Sequence, residues 1–180
     1  IIDATRLLLA SNDVDSIRVA DIADAAGCSN ATIHNHFPNA LPDILAAISE
    51  DIIQNAHKQF EKTSKDFSGI ELVRSYFKTV GEHICDQADV AVPSIAISVD
   101  LASQGSWFDR KIFSDCKELF KEAKESEQIN GSHEQLASLT HTFFQGALYS
   151  WALGSITSEE FLQMAMQSVD FAVSSCRGAA

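Results

Sequence analysis

Apolar residues recur along nearly the whole chain at spacings of three and four, the period of a helix packed on one side. No segment shows the alternation with hairpin turns that strands require. The first run, Ile1 to about Ser11, sets Ile1, Ala4, Leu8 and Leu9 on one side and stops at Asn12–Asp13. In the second, Val19, Ile22, Ala23 and Ala26 form the stripe, Asp21 and Asp24 point outward, and Asp15 or Ser16 is the expected cap. Gly27 suits the left-handed position that ends it. Ser29 caps a third helix, which Ile33 and Phe37 anchor and Pro38 stops. After the break Asn39–Ala40–Leu41–Pro42, a long helix from Asp43 to about Ser64 carries Ile44, Ile48, Ile52, Ala56 and Phe60.

Four further starts have capping-box spacing: Ser68/Glu71, Ser106/Asp109, Ser132/Gln135 and Thr157/Glu160. They open helices over Ile70–Asp86, Trp107–Gln128, His133–Ser155 and Glu159–Cys176. Apolar Val90–Ser103, with Pro93 near its start, reads as a short buried helix. The expected fold is all-α with about nine helices and no strands. Composition changes most at Phe37–Pro42, which divides residues 1–42, completed by 43–48, from a larger unit over 43–180.

Val19–Phe37 joins two short helices through Gly27–Cys28–Ser29, the layout of a helix-turn-helix, whose second helix enters the DNA major groove. Its exposed face carries Asn30, Ala31, Thr32 and Asn35, small and amide side chains suited to base edges and thymine methyls. Ser29 and His34 are the candidates for phosphate. Charge works against this reading. The chain holds 13 basic and 25 acidic residues, a formal charge of −12, whereas DNA-binding domains are usually basic. Up to residue 48 only Arg6 and Arg18 are basic, against Asp3, Asp13, Asp15, Asp21, Asp24 and Asp43. His34 and His36 would add positive charge at mildly acidic pH.

With 46% hydrophobic and 21% charged residues, the chain suits an ordinary soluble domain with a sizeable core. No apolar run approaches the roughly 18 residues of a membrane span, no secretory leader is visible, and no membrane partner is expected. Ile1 and Ile2 already lie in a helical pattern, without an initiator Met, so further residues are expected ahead of them. Cys28, Cys85, Cys116 and Cys176 form no CxxC pair and are expected as buried thiols in a reducing cytoplasm. His57, His83 and His141 lack ligand spacing, so no metal or cofactor is expected. Without a nucleophile–base spacing or phosphate loop, neither is an enzyme.

Two surfaces remain. Between the fourth and eighth helices, Phe60, Phe77, Trp107, Phe108, Phe113 and Phe144 supply apolar walls, joined by Ile84 and Phe120. His83, His141, Gln145 and Tyr149 supply polar handles, a mixture that suits a small-molecule pocket. The last two helices are apolar nearly all round, and so are expected to be buried on more than one side. Phe143, Ala147, Trp151, Phe161, Met164, Ala165, Val169 and Ala172 are the candidate dimer face, with Gly146 and Gly154 allowing close approach. Lys117–Glu127 reads as a solvated charged face.

Ile2–Asp3–Ala4, Leu8–Leu9–Ala10, Val19, Asp21–Ile22–Ala23, Ala26–Gly27, Ser29, Thr32–Ile33 and His36–Phe37–Pro38 resemble the N-terminal domain of the TetR family of transcriptional repressors, without a gap. The resemblance implies a homodimer on a palindromic double-stranded DNA operator and an effector pocket in the larger domain. It also implies that His36 is a partly buried packing residue. A small apolar or amphipathic effector would then tilt the fourth helix and change the spacing of the reading helices. Three features depart from the family pattern. His34–Asn35 replaces the usual aromatic pair, Leu41–Pro42–Asp43 replaces a basic residue, and no basic arm stands ahead of the first helix. A helical sensor or adaptor that does not bind DNA is the alternative on the same scaffold.

Overall fold

The structure is a computed structural model that describes residues 1–100, 107–126 and 129–177, with side chains for all of these except 96–100, 107–110 and 177. Among the described residues there are nine α-helices and no strand. They are α1 (Ile2–Leu9), α2 (Val19–Ala26), α3 (Asn30–His36), α4 (Leu41–Thr63), α5 (Gly69–Cys85), α6 (Ala88–Asp100), α7 (Trp107–Ser126), α8 (His133–Ala152) and α9 (Ser158–Arg177), with a 3-10 turn at Val14–Ser16.

Local chemistry explains most boundaries. Asn12 Nδ2 donates to the Leu8 carbonyl at 2.8 Å and closes α1. Asp13 and the 3-10 turn carry the chain to α2, so neither Asp15 nor Ser16 is its cap. Instead the Asp21 carboxylate reaches back to accept from the Arg18 N–H at 2.8 Å. Gly27 closes α2 at φ 64°, and the Cys28 N–H returns to the Ala23 carbonyl at 2.9 Å. Pro42 lies in the first turn of α4, which begins at Leu41. Its cap, Ala40, holds a positive φ of 54° that a residue with a Cβ rarely adopts. Before α9, Thr157 and Glu160 form a reciprocal box, with N–H to Oε2 at 2.7 Å and the return N–H to Oγ1 at 3.2 Å. The bonds from Thr157 hold the Glu160 carboxyl below its usual range. Ser132 Oγ accepts from the Gln135 N–H at 3.1 Å to start α8.

One start differs in chemistry. Ser68 makes no side-chain cap for α5, and Glu71 pairs with Arg74. Arg74 also clamps α5 to α9, donating from Nε to Asp170 Oδ1 at 2.9 Å. The Ser106/Asp109 cap and the Trp107 and Phe108 side chains lie outside what is described.

One continuous core runs through the molecule. Ile22, Ala23 and Ile33 are buried from α2 and α3, and Ile44, Leu45 and Ile48 from the first half of α4. The same helix then buries Ile52, Ala56 and Phe60 and packs on α5 and α7, so it belongs to both parts of the fold. Each fully buried Ile or Phe contributes about 1.5–3 kcal/mol, so this shared helix holds the two parts together firmly. α8 and α9 pack most extensively on each other and on α7 and α5 respectively. Gly81 permits that last approach: a Cβ there would stand 2.9 Å from Leu162 Cδ2.

Candidate nucleic-acid interface and effector region

The turn between α2 and α3 presents one face of a seven-residue helix to solvent. Ile33 is fully buried beneath it, and Phe37, at the helix end, is half-buried. These anchors leave Ser29, Asn30, Ala31, His34 and Asn35 exposed and Thr32 half-exposed, so the six candidate DNA contacts share one short helix and its cap. Ser29 Oγ accepts from the Thr32 N–H at 3.1 Å and lies 2.9 Å from Thr32 Oγ1, so both hydroxyls already have a partner. This side-chain cap fixes the start of the helix. His36 is exposed, not a packing residue. It sits to the side of the Ile33–Phe37 line, at the last position of α3, and no neighbouring element covers it.

The joint between the two parts has its own polar contact. Arg6 of α1 donates from Nη2 to Asp51 Oδ2 of α4 at 2.8 Å and from Nη1 to Gln87 Oε1, between α5 and α6, at 2.6 Å. Its planar fork suits two acceptors at once. One guanidinium therefore ties three elements together.

In the larger part, the aromatic candidates separate into groups. Phe60, Phe77 and Phe144 are buried in a run of ring contacts: Phe60–Tyr76 at 5.3 Å, Tyr76–Phe77 at 5.5 Å, Phe77–Phe144 at 5.1 Å and Phe144–Phe161 at 5.6 Å. Trp151 stacks on Phe161 at 5.5 Å and completes the run. Such edge and tilted pairs add about 0.5–1.5 kcal/mol each beyond burial, so these rings are foremost the core. Ile84 and Phe120 are buried with them. Phe113 and His141 form a separate half-buried pair at 5.5 Å, and Gln145 and Tyr149 are half-buried further along α8. His83 stands apart, lining an outer groove of about 600 Å³ with Gln59, Phe67 and Lys78.

A polar cluster that periodicity did not single out lies beside the rings. Buried Tyr76 donates its hydroxyl to Asp115 Oδ2 at 2.9 Å, and Lys111 pairs with the other carboxylate oxygen. His57 Nδ1 stands 3.5 Å from the same carboxylate and its Nε2 3.5 Å from Glu61, ion-pair distances from α4. The Asp115 side chain is only 13% exposed, and such a carboxylate needs partners of this kind. Burial, and then the adjacent Asp115, push the Tyr76 phenol well above its usual range. Burial likewise pushes up the neighbouring Cys116 thiol. The sequence held one signal, Lys111 and Asp115 at helical i, i+4 spacing. Of the cysteines, Cys116 and Cys176 are buried and Cys28 and Cys85 half-buried. Among the described residues no group of three His, Cys, Asp or Glu is placed to hold a metal ion.

On the last two helices, Ala147, Trp151, Phe161, Ala165, Val169 and Ala172 are buried within the single chain. Of the candidate face, Phe143 and Met164 are half-buried, and nearby Phe171 at 47% and Leu153 at 80% exposure are open apolar residues. Phe143 and Phe171 touch across α8 and α9 at 5.3 Å. A Cβ at Gly146 would meet nothing within 4 Å, so that glycine leaves the outer face of α8 open. Gly154, at φ 71°, serves the turn after α8.

These features have counterparts among known proteins. Residues 1–39 match the family model described as bacterial regulatory proteins, tetR family. FadR of Thermus thermophilus, a TetR-family transcriptional repressor solved with lauroyl-CoA, superposes with a TM-score of 0.75 at 15% identity, over 93% of this chain and 90% of that one. A TetR-family regulator from a Rhodococcus species gives 0.70 at 16% identity, over 96% and 95%. LfrR of Mycobacterium smegmatis, solved with proflavine, gives 0.52 at 21% identity, over 96% and 93%. A comparison with curated protein sequences gives no match. At these identities the structural likeness is one of fold. The N-terminal residues are thus similar to the tetR family of bacterial regulatory proteins, and the whole chain has the fold seen in TetR-family transcriptional regulators.

Proposed function

We propose that the protein is a dimeric, non-enzymatic transcriptional regulator of the cytoplasm, a repressor that binds a palindromic operator and responds to a small apolar or amphipathic effector. Residues 1–42, completed by 43–48, are the DNA-binding unit, and 43–180 bind effector and partner. The observation that carries this reading is the exposed face of α3, held by the Ser29 cap and the Ile33 and Phe37 anchors, on a domain similar to the tetR family. Asn30, Ala31, Thr32 and Asn35 read bases, with Ser29 and His34 toward phosphate. The second copy joins across α8 and α9, around Phe143, Met164 and Phe171.

Effector class rests on Phe113, His141, Gln145 and Tyr149 beside the ring-lined core, and the lauroyl-CoA and proflavine of the two relatives are amphipathic or aromatic molecules of that kind. An effector acts only by its unequal affinity for two states, and α4, shared by both parts, is the element it would tilt. One observation favours the adaptor reading: no Lys or Arg stands between Arg18 and Lys58. Selection from random-sequence duplexes at low salt separates the two. Recovery of a palindrome with half-sites about one DNA turn apart supports the regulator; recovery of no sequence preference supports the adaptor.

A further inference from the structure

Arg6 reaches from α1, in the DNA-binding unit, to two acceptors in the larger part. Its Nη2 donates to Asp51 Oδ2 of α4 at 2.8 Å and its Nη1 to Gln87 Oε1 at 2.6 Å. Both acceptors are themselves held. Asp51 Oδ1 accepts from Asn55 Nδ2 at 3.2 Å, one turn further along α4. Gln87 stands on the short turn between α5 and α6, where its carbonyl accepts from the Val90 and Ala91 N–H groups at 3.0 and 2.8 Å. The Asp51 side chain is half exposed to water, so the bond to Gln87, on a fixed turn of the larger part, is the more consequential of the two. α1 also packs on α4 and α6, with Leu9 buried. Apolar burial is non-directional, whereas a two-pronged hydrogen bond from a planar guanidinium fixes an angle.

We infer, on the dimeric regulator reading above, that Arg6 and Gln87 determine which operator spacing is read, by fixing the angle between the DNA-binding unit and the larger part. Arg6 is in this a positioning residue, with no contact to DNA required of it. The angle has leverage. Asp51 lies ten residues beyond Leu41, about 15 Å of helix at about 1.5 Å per residue. A change of about 10° at Asp51 moves the Leu41 end by about 2.6 Å, and two copies together by up to about 5 Å. One base-pair step along DNA is about 3.4 Å. Loosening this one joint therefore shifts the spacing of two reading helices by as much as a base pair, without unfolding either part. The side-chain chemistry separates the bond from mere bulk. Glutamate at position 87 still offers an oxygen to the guanidinium, whereas leucine fills similar space and offers none.

The test uses the full chain and four fluorescent duplexes read by anisotropy: a palindrome selected from random sequence, the same palindrome with one base pair added or removed at its centre, and a single half-site. The parent is expected to prefer its own spacing by at least about tenfold, since simultaneous engagement of both half-sites depends on their geometry. Gln87→Leu lowers that preference to about threefold or less and leaves half-site affinity unchanged. Gln87→Glu keeps the parental preference. Arg6→Met, which retains an apolar stem, relaxes spacing as Gln87→Leu does and approaches the same bond from its other side. Far-UV circular dichroism and sedimentation velocity establish that each variant is folded and of parental oligomeric state. Parental selectivity in both Gln87→Leu and Arg6→Met overturns the inference and leaves the regulator standing. Relaxed spacing in Gln87→Glu overturns it too, because the hydrogen bond is then not what sets the angle. A fall in half-site affinity in Gln87→Leu has the same consequence, since the effect then lies within the DNA-binding unit. So does a parent that binds the palindrome equally at every spacing. A folded parent with no preference for any palindrome over random DNA removes both the inference and the regulator reading.

Discussion

At the scale of single residues, the most consequential groups are those the fold has shut away from water. Tyr76 and Cys116 keep their protons in the folded chain beyond the ordinary values of 10.0 and 9.0, because burial penalises the charged forms. Above those values the unfolded chain ionises first and binds fewer protons than the native one. Stability present at neutral pH is therefore lost as pH rises past about 9. The melting temperature is expected to fall between pH 8 and pH 10.5 and to fall less in Cys116→Ala, with scanning calorimetry as the measurement. A parent curve that is flat over this range contradicts the assignment. Ala40 makes the opposite case, since its positive φ is backbone strain at the entrance to α4. Ala40→Gly is expected to stabilise the chain by about 0.5–1 kcal/mol in urea unfolding, less any loss from removing a buried methyl.

Among the elements, α3 is the one whose stability and function can be separated. Its Ser29 cap is a local interaction, and Ser29→Ala is expected to cost about 1 kcal/mol of stability. Asp is as good a cap as Ser, so Ser29→Asp retains the urea midpoint. It also places an added negative charge beside the proposed reading face and is expected to abolish operator binding. Retained affinity in folded Ser29→Asp would move the DNA interface away from α3. The same contrast explains what was legible in the sequence. Boundaries set by neighbours in the chain could be read directly: Gly27, Ser29, Pro42, Ser132 and the Thr157/Glu160 box. Where a distant partner decides, the pattern misled or was silent. Glu71 has the spacing of a box with Ser68, yet Arg74 holds it, positioned in turn by Asp170 on α9. The Asp21 carboxylate caps α2 because the 3-10 turn had already taken Asp13 to Ser16. The family pattern made His36 a partly buried packing residue, yet it is exposed, because a seven-residue helix gives up only one narrow line to the core. Arg6 and Gln87, and likewise Tyr76 and Asp115, meet across long stretches of chain. Helical periodicity fixes which side of a helix is apolar and leaves open what lies against it.

For the whole molecule, the packing within one chain narrows the face on which the proposed second copy can sit. Residues such as Ala147, Phe161 and Val169 are already covered by the chain's own helices, so they have little surface to offer a partner. Phe143, Phe171 and Leu153, with the bare backbone at Gly146, are different: they are apolar or open on the outer side of α8 and α9. If two copies meet there, Phe143→Glu with Phe171→Glu puts like charges on both sides of one self-complementary patch. Because both rings stand at the margin of the core, the variant is expected to remain folded and to sediment as a monomer. Its operator affinity should fall by about 10²–10⁴-fold, because the second reading helix no longer arrives at the effective concentration that a dimer supplies. Binding to a single half-site should change little. Sedimentation velocity and anisotropy on whole and half operators check this together. A variant that remains dimeric places the interface on another face. A monomer that still binds the whole operator at full strength means that paired half-sites, about 34–36 Å apart, are not what this fold reads.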